Sequence, residues 1–187
     1  MGIPTLIKAL TASDSASLAF VDGASDVVLD STYDEYMFVF TDINPATDTA
    51  NFTFQVNATD DAGGGYDTSL ITSTSFRAYH DEADSGGAGM DYDAAADKAQ
   101  AATFQDLTDT IGNGADESCA GILHLFSPSS TTFVKHFYSR VNTNTSFDWS
   151  IEQYTAGYFN DTTAIDEIQF KMTSGNFDGV IQLYGIA

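Results

Sequence analysis

The sequence predicts an all-β protein: one domain, folded as a β-sandwich or jelly roll of about 9–11 antiparallel strands. Two observations carry this. Phe, Tyr, Val, Ile and Thr are plentiful, with 14 Phe and 9 Tyr, and such residues suit a pleated, half-buried surface. Apolar residues also recur at every second position in short runs, separated by Gly, Asn, Asp and Ser. At 187 residues and 43% hydrophobic, the chain is long enough to bury a sizeable core, and its composition excludes disorder.

The segments follow in order. Residues 1–17 read as a short edge strand or as an N-terminal arm that docks on a neighbour. Residues 18–21 and 27–29 read as strands around Asp22-Gly23. Residues 35–41 place Tyr36, Phe38 and Phe40 on one face and Met37 and Val39 on the other, as expected of a central strand buried on both sides or of one covered by a partner subunit. Residues 51–58 alternate, with Phe52, Phe54 and Val56 inward and Asn51, Thr53, Gln55 and Asn57 outward, the pattern of a half-buried strand. Residues 60–65 form a glycine-rich loop, 69–80 a strand, and 82–91 a second acidic, glycine-rich loop. The alanines of 94–104 suggest a turn or two of helix or an irregular segment. Residues 117–126 and 131–141 form a hairpin around Ser127-Pro128-Ser129-Ser130. Residues 146–159 make a strand pair or a bent strand, and 164–172 with 180–186 a closing hairpin.

The charge is lopsided, with 27 acidic residues against six basic ones and a formal net charge of −21. Only five of the acids are Glu, and Asp prefers turns and strand ends. A surface so acidic repels nucleic acid and anionic membranes, and suits salty water, where charge is screened. No apolar run approaches the roughly 18 residues of a membrane-spanning helix. The start, Met1-Gly2-Ile3-Pro4-Thr5-Leu6, lacks the layout of a secretory signal. The single cysteine, Cys119, excludes an internal disulfide and fits assembly in a reducing cytoplasm.

Catalytic motifs are missing: there is no GxSxG, HExxH, CxxC or P-loop. His124 and His136 fall on the two arms of one hairpin, the spacing from which a zinc site with a carboxylate would be built, although strand histidines more often serve packing. Paired acids such as Asp60-Asp61 and Asp116-Glu117 read as solvated turns. The best set of oxygen ligands for Ca²⁺ is Asp81, Glu82 and Asp84, without EF-hand spacing. Arg77, Lys135 and Arg140 lie on strands, positioned for ion pairs within the subunit or between subunits. With 24 aromatic residues, some rings are expected on the surface, as an interface or a glycan platform.

Several segments resemble a family of tailed-bacteriophage virion proteins, many of them from marine phages. They include Asp30-Ser31-Thr32-Tyr33-Asp34-Glu35-Tyr36, Ile43-Asn44-Pro45-Ala46-Thr47-Asp48 and Ile111-Gly112-Asn113-Gly114-Ala115-Asp116-Glu117-Ser118. The ending, Ser174-Gly175-Asn176-Phe177-Asp178-Gly179 with Leu183-Tyr184-Gly185-Ile186, is similar to that family's C-terminus. The resemblance covers nearly the whole chain and brings no catalytic residues. It implies a particle-surface protein, often trimeric, whose partners are the major capsid protein or other virion proteins. A capsid decoration (cement) protein is the leading expectation, with Ile3, Leu6, Ile7 and Leu10 as the contact element. The alternative is a tail-fibre or receptor-binding domain for host glycans.

Overall fold

The computed structural model describes residues 2–60, 66 and 69–187. Among these residues there are thirteen strands and no helix. In chain order they are β1 (Thr5–Ser15), β2 (Leu18–Val21), β3 (Glu35–Pro45), β4 (Phe52–Ala58), β5 (Ile71–Asp81), β6 (Ala88–Tyr92), β7 (Lys98–Ala101), β8 (Gln105–Asp106), β9 (Cys119–Phe126), β10 (Lys135–Asn144), β11 (Trp149–Phe159), β12 (Ile165–Met172) and β13 (Phe177–Ile186). They form an antiparallel β-sandwich of two unequal sheets. The nine-stranded sheet runs β1-β13-β3-β9-β10-β11-β5-β6, with β7 also pairing β5, and the four-stranded sheet runs β2-β12-β4-β8.

The core lies between the sheets and is built from phenylalanine. Phe170 of β12 is its hub. Its ring centroid lies between 5.3 and 6.3 Å from those of Phe20, Phe38, Phe40, Phe52 and Phe54. Phe54 reaches across to Phe137 and Phe159 of the larger sheet at 5.1 and 5.9 Å. Edge-to-face and offset pairs at these distances add to what area burial alone gives. Period-two alternation delivers these rings to one face. In β10, Lys135, Phe137, Ser139, Val141 and Thr143 are buried, while His136, Tyr138, Arg140 and Asn142 are exposed.

Residues 5–15, within the proposed arm, form an edge strand paired along its length with β13. Ile7 and Leu10 pack against the core, whereas Ile3 and Leu6 are exposed. Other expectations need correction. Residues 27–29 are not a strand but a buried loop, in which Asp22 accepts the Leu29 N–H at 2.8 Å. β4 is buried on both faces, because its polar side is covered by the chain around residue 102, whose carbonyl accepts from Gln55 Nε2 at 3.0 Å. Residues 88–92, expected in a loop, pair with β5 as β6. Residues 94–104 hold no helix; after a turn, Lys98–Ala101 pairs with β5. The last two strands are not a hairpin: β12 pairs with β2 and β4, while β13 pairs with β1 and β3. The link between them crosses from one sheet to the other, helped by Gly175 and Gly179, which both have positive φ. Of the expected loop 60–65, positions 61–65 lie outside the described residues.

Candidate ligand-binding cleft

The four-stranded sheet is too narrow to cover the whole inner face of its partner. Towards β5, β6 and the start of β11 that face opens into a cleft of about 550 Å³, within the range of small-ligand sites. Its floor follows from strand register. Trp149 lies opposite Asp81, Ile151 opposite Tyr79, and Gln153 opposite Arg77, so Trp149, Ile151, Tyr79 and Arg77 share the inner face. The Trp149 and Tyr79 rings stack with centroids 5.3 Å apart and planes 29° off parallel. The walls are Asp91 of β6, Asp109 and Thr110 from the β8–β9 connection, and Thr145 and Phe147 from the β10–β11 turn.

Local hydrogen bonds fix these walls. Thr145 Oγ1 accepts the backbone N–H groups of Phe147 and Trp149 at 3.3 and 3.2 Å, which sets the turn and leaves the Phe147 ring 64% exposed. Ile111 bridges both Ala50 and Thr145, tying the Asp109 segment to the ends of both sheets. Glycines let the β5–β6 hairpin lie close to the rings. A Cβ on Gly87 would stand 2.9 Å from the Trp149 ring, and one on Gly89 2.7 Å from the Tyr79 hydroxyl.

Arg77 is the electrostatic centre. Its Nε donates to Asp91 at 3.0 Å and its guanidinium also binds Asp109. Burial pushes the Asp109 carboxyl above its ordinary range, against the opposing pull of Arg77. The cleft therefore offers two carboxylates bridged by one guanidinium, a site of net negative charge, beside the stacked Trp149–Tyr79 pair. Such a surface can stack on one side of a ligand and hydrogen-bond polar groups on its rim.

The three Ca²⁺ candidates do not converge. Asp81 is buried and accepts from Ser85, with N–H to oxygen distances of 3.1 and 3.2 Å and a further bond from the Ser85 hydroxyl. The hydroxyl bond holds its carboxyl below the ordinary range. Asp84 is exposed and lies 3.6 Å from His80, while the Glu82 N–H donates to the Asp148 carbonyl at 2.9 Å. His124 is buried against Glu35 and stacks on Tyr138 at 4.5 Å, whereas His136 is exposed beside Tyr158. Among the described residues no group of three or more His, Cys, Asp or Glu side chains is arranged to hold a metal ion. Arg77 and Arg140 pair within the subunit, Arg140 with Glu152, and Lys135 is buried with its ammonium on the Asp161 and Thr163 carbonyls.

The cleft residues come from four separated stretches, and only Arg77 stood out in the sequence. The available signal was Phe147-Asp148-Trp149, two large aromatics flanking a turn residue, one of them the chain's single tryptophan. Compared with family models, curated proteins and solved structures, the chain matches none.

Proposed function

We propose that the protein is a structural subunit of a tailed-phage particle, a decoration protein that binds the capsid exterior and acts by assembly rather than catalysis. The observation that carries this reading is the outer face of the nine-stranded sheet. The four-stranded sheet packs on the inner side, and among the described residues no second layer covers the outer side. Register places a continuous row across it: Leu6 of β1, Tyr184 of β13, Met37 of β3, His124 of β9 and Tyr138 of β10. A second row carries Val39, Ile122, Arg140, Tyr154, Phe76 and Tyr92. Phe76, Tyr92, Tyr138 and Leu6 are between 40% and 56% exposed.

The chain carries 27 acids, yet Glu35 and Glu152 on this face are engaged by His124 and Arg140, and Asp97 accepts from the Tyr92 hydroxyl. Enrichment in Tyr, Phe, Met and Arg with few free charges is the composition of an interface core. A particle protein, itself repelled by the acidic edges, would be held there by burial of apolar area. The resemblance of segments such as 174–179 and 183–186 to phage virion proteins is in keeping with this reading, and on it the partner is the major capsid protein. Of the expected contact residues, Leu6 belongs to this face; Ile7 and Leu10 serve the core instead.

The test is particle imaging combined with a face variant. Hundreds of copies on the capsid are expected, and Phe76→Ser with Tyr138→Ser should keep a cooperative thermal transition while losing capsid attachment. A few dozen copies confined to the tail, or normal attachment of the variant, would overturn the proposal.

A further inference from the structure

We propose that the cleft beside Trp149 is a carbohydrate-binding site for neutral saccharides, on the side of the sheet opposite the assembly face. Three features choose this ligand class. The Trp149–Tyr79 stack and the exposed Phe147 ring offer flat apolar surface suited to the C–H face of a pyranose ring. Beside the rings, Asp91 and Asp109 offer acceptor oxygens and Arg77 offers donors, the pairing that vicinal hydroxyls satisfy as simultaneous donors and acceptors. Finally, charge excludes the competitors. Acidic glycans would approach a protein of net charge −21 and meet carboxylates at the site. A cation could bind those carboxylates tightly only by displacing Arg77 from both.

The site also has the build of a prepared one. Thr145 fixes the turn that presents Phe147 and Trp149, and Gly87 and Gly89 admit the hairpin against both rings. Their order is set before a ligand arrives, which lowers the entropy cost of binding. Phe76 and Tyr154 of the assembly face lie on the same two strands with their side chains on the other side. One subunit can therefore hold a particle with one face and a sugar with the other. The inference does not depend on where in the particle the subunit sits.

Trp149 is the chain's single tryptophan, so its fluorescence reports on the cleft directly. The full-length protein is titrated with maltotriose, cellotriose, a trimer of N-acetylglucosamine and a galactose trisaccharide, each to about 10 mM, a range that captures dissociation constants near about 1 mM. At least one should give a saturable change in Trp149 emission. Tyr79→Ala should weaken that affinity about tenfold or more, the loss of roughly 1.4 kcal/mol. Phe76→Ser with Tyr138→Ser should leave it unchanged. For the Trp149→Phe variant, calorimetry replaces fluorescence. Absence of saturation with all four sugars would overturn the inference. So would tighter binding of a sulfated or uronate trisaccharide, binding of choline in place of sugars, or an unaltered response in Tyr79→Ala. Because the face variant separates the two surfaces, loss of capsid attachment and loss of sugar binding are scored independently.

Discussion

The inner face of the nine-stranded sheet is held in two different ways along its length. Over β13, β3, β9 and β10, it meets the four-stranded sheet and the contact is almost entirely aromatic and aliphatic. Over the middle of β11 and β5 it meets the short strand β8 and the irregular chain around residues 93–96, and the contact is polar; only the far ends of the two strands, Phe159 and Ile71, belong to the apolar core. Ser73 donates to Gln105 at 2.6 Å, Gln105 donates to the Ala96 carbonyl at 2.7 Å, and Gln153 donates to Ser75 and Asp93 at 3.0 and 3.1 Å. The contrast has a physical cause. A second sheet brings its own backbone bonds already made, so only side-chain volume remains to be matched. An irregular segment brings unpaired carbonyls and N–H groups, and burying them requires partners. Beyond both covers the face is open, and the cleft begins where hydrogen bonding gives way to solvent.

The aromatic half should be the more sensitive to truncation. Phe170→Ala removes the ring that five others touch, and the expected loss is about 3–5 kcal/mol in urea unfolding. In the polar half, Arg77→Met should cost less, about 1–3 kcal/mol, by leaving Asp91 and Asp109 without their cation. Its signature is pH dependence. The half-buried Asp109 carboxyl already titrates above its ordinary range, so the native state keeps a proton that the unfolded chain releases. Stability then falls as pH rises through that window. Removing Arg77 raises the window further, and the deficit of Arg77→Met should be smaller near pH 4 than at pH 7. An equal deficit at both would mean that Arg77 matters for packing alone.

The same contrast explains how far the sequence could be read. Alternation in 35–41, 51–58 and 117–141 marks strands because each residue choice reflects a face, and the aromatic half is legible wherever rings recur at every second position. What covers a polar face leaves no such mark. Thr53, Gln55 and Asn57 look solvent-facing, yet all three are buried: Gln55 finds a partner in the chain near residue 102, and Thr53 donates to the Lys171 carbonyl across the sheet. Residues 94–104 look helical by alanine content, yet the β5 edge recruits Lys98–Ala101 as a strand. The final link reads as a hairpin turn, because local sequence does not say that β12 and β13 belong to different sheets. The cleft was the least legible feature, since its residues meet only once β5, β6, β8 and β11 are in register. The outer face was half legible: Met37 and Val39 opposite Tyr36, Phe38 and Phe40 called for cover on both sides, from this subunit or a partner, and among the described residues the second side is left without a covering layer.

Tyr36 sits at the rim of the aromatic half and tests a polar bond placed among rings. It is fully buried, its hydroxyl donates to the Asp30 carbonyl at 2.8 Å, and its ring meets Tyr33 edge-on at 5.8 Å. Burial, aided by the nearby Asp30 charge, pushes its phenol up to about 12. At neutral pH, Tyr36→Phe keeps the ring and loses one hydrogen bond, leaving the Asp30 carbonyl short of a donor; the expected cost is about 1 kcal/mol. Above pH ~10 the balance changes, because an unfolded tyrosine releases its proton there. Between that pH and about 12 the native state binds the extra proton, so this tyrosine's contribution to stability falls as pH rises. Phenylalanine has no such loss. The other eight tyrosines are common to both proteins, so their titration largely cancels in the difference. Urea unfolding of both proteins at pH 7 and near pH 11 should show the gap narrowing or reversing at the higher pH. A gap that stays constant would mean that Tyr36 ionises as freely in the folded protein as in the unfolded chain, and that its hydroxyl is not buried among the rings.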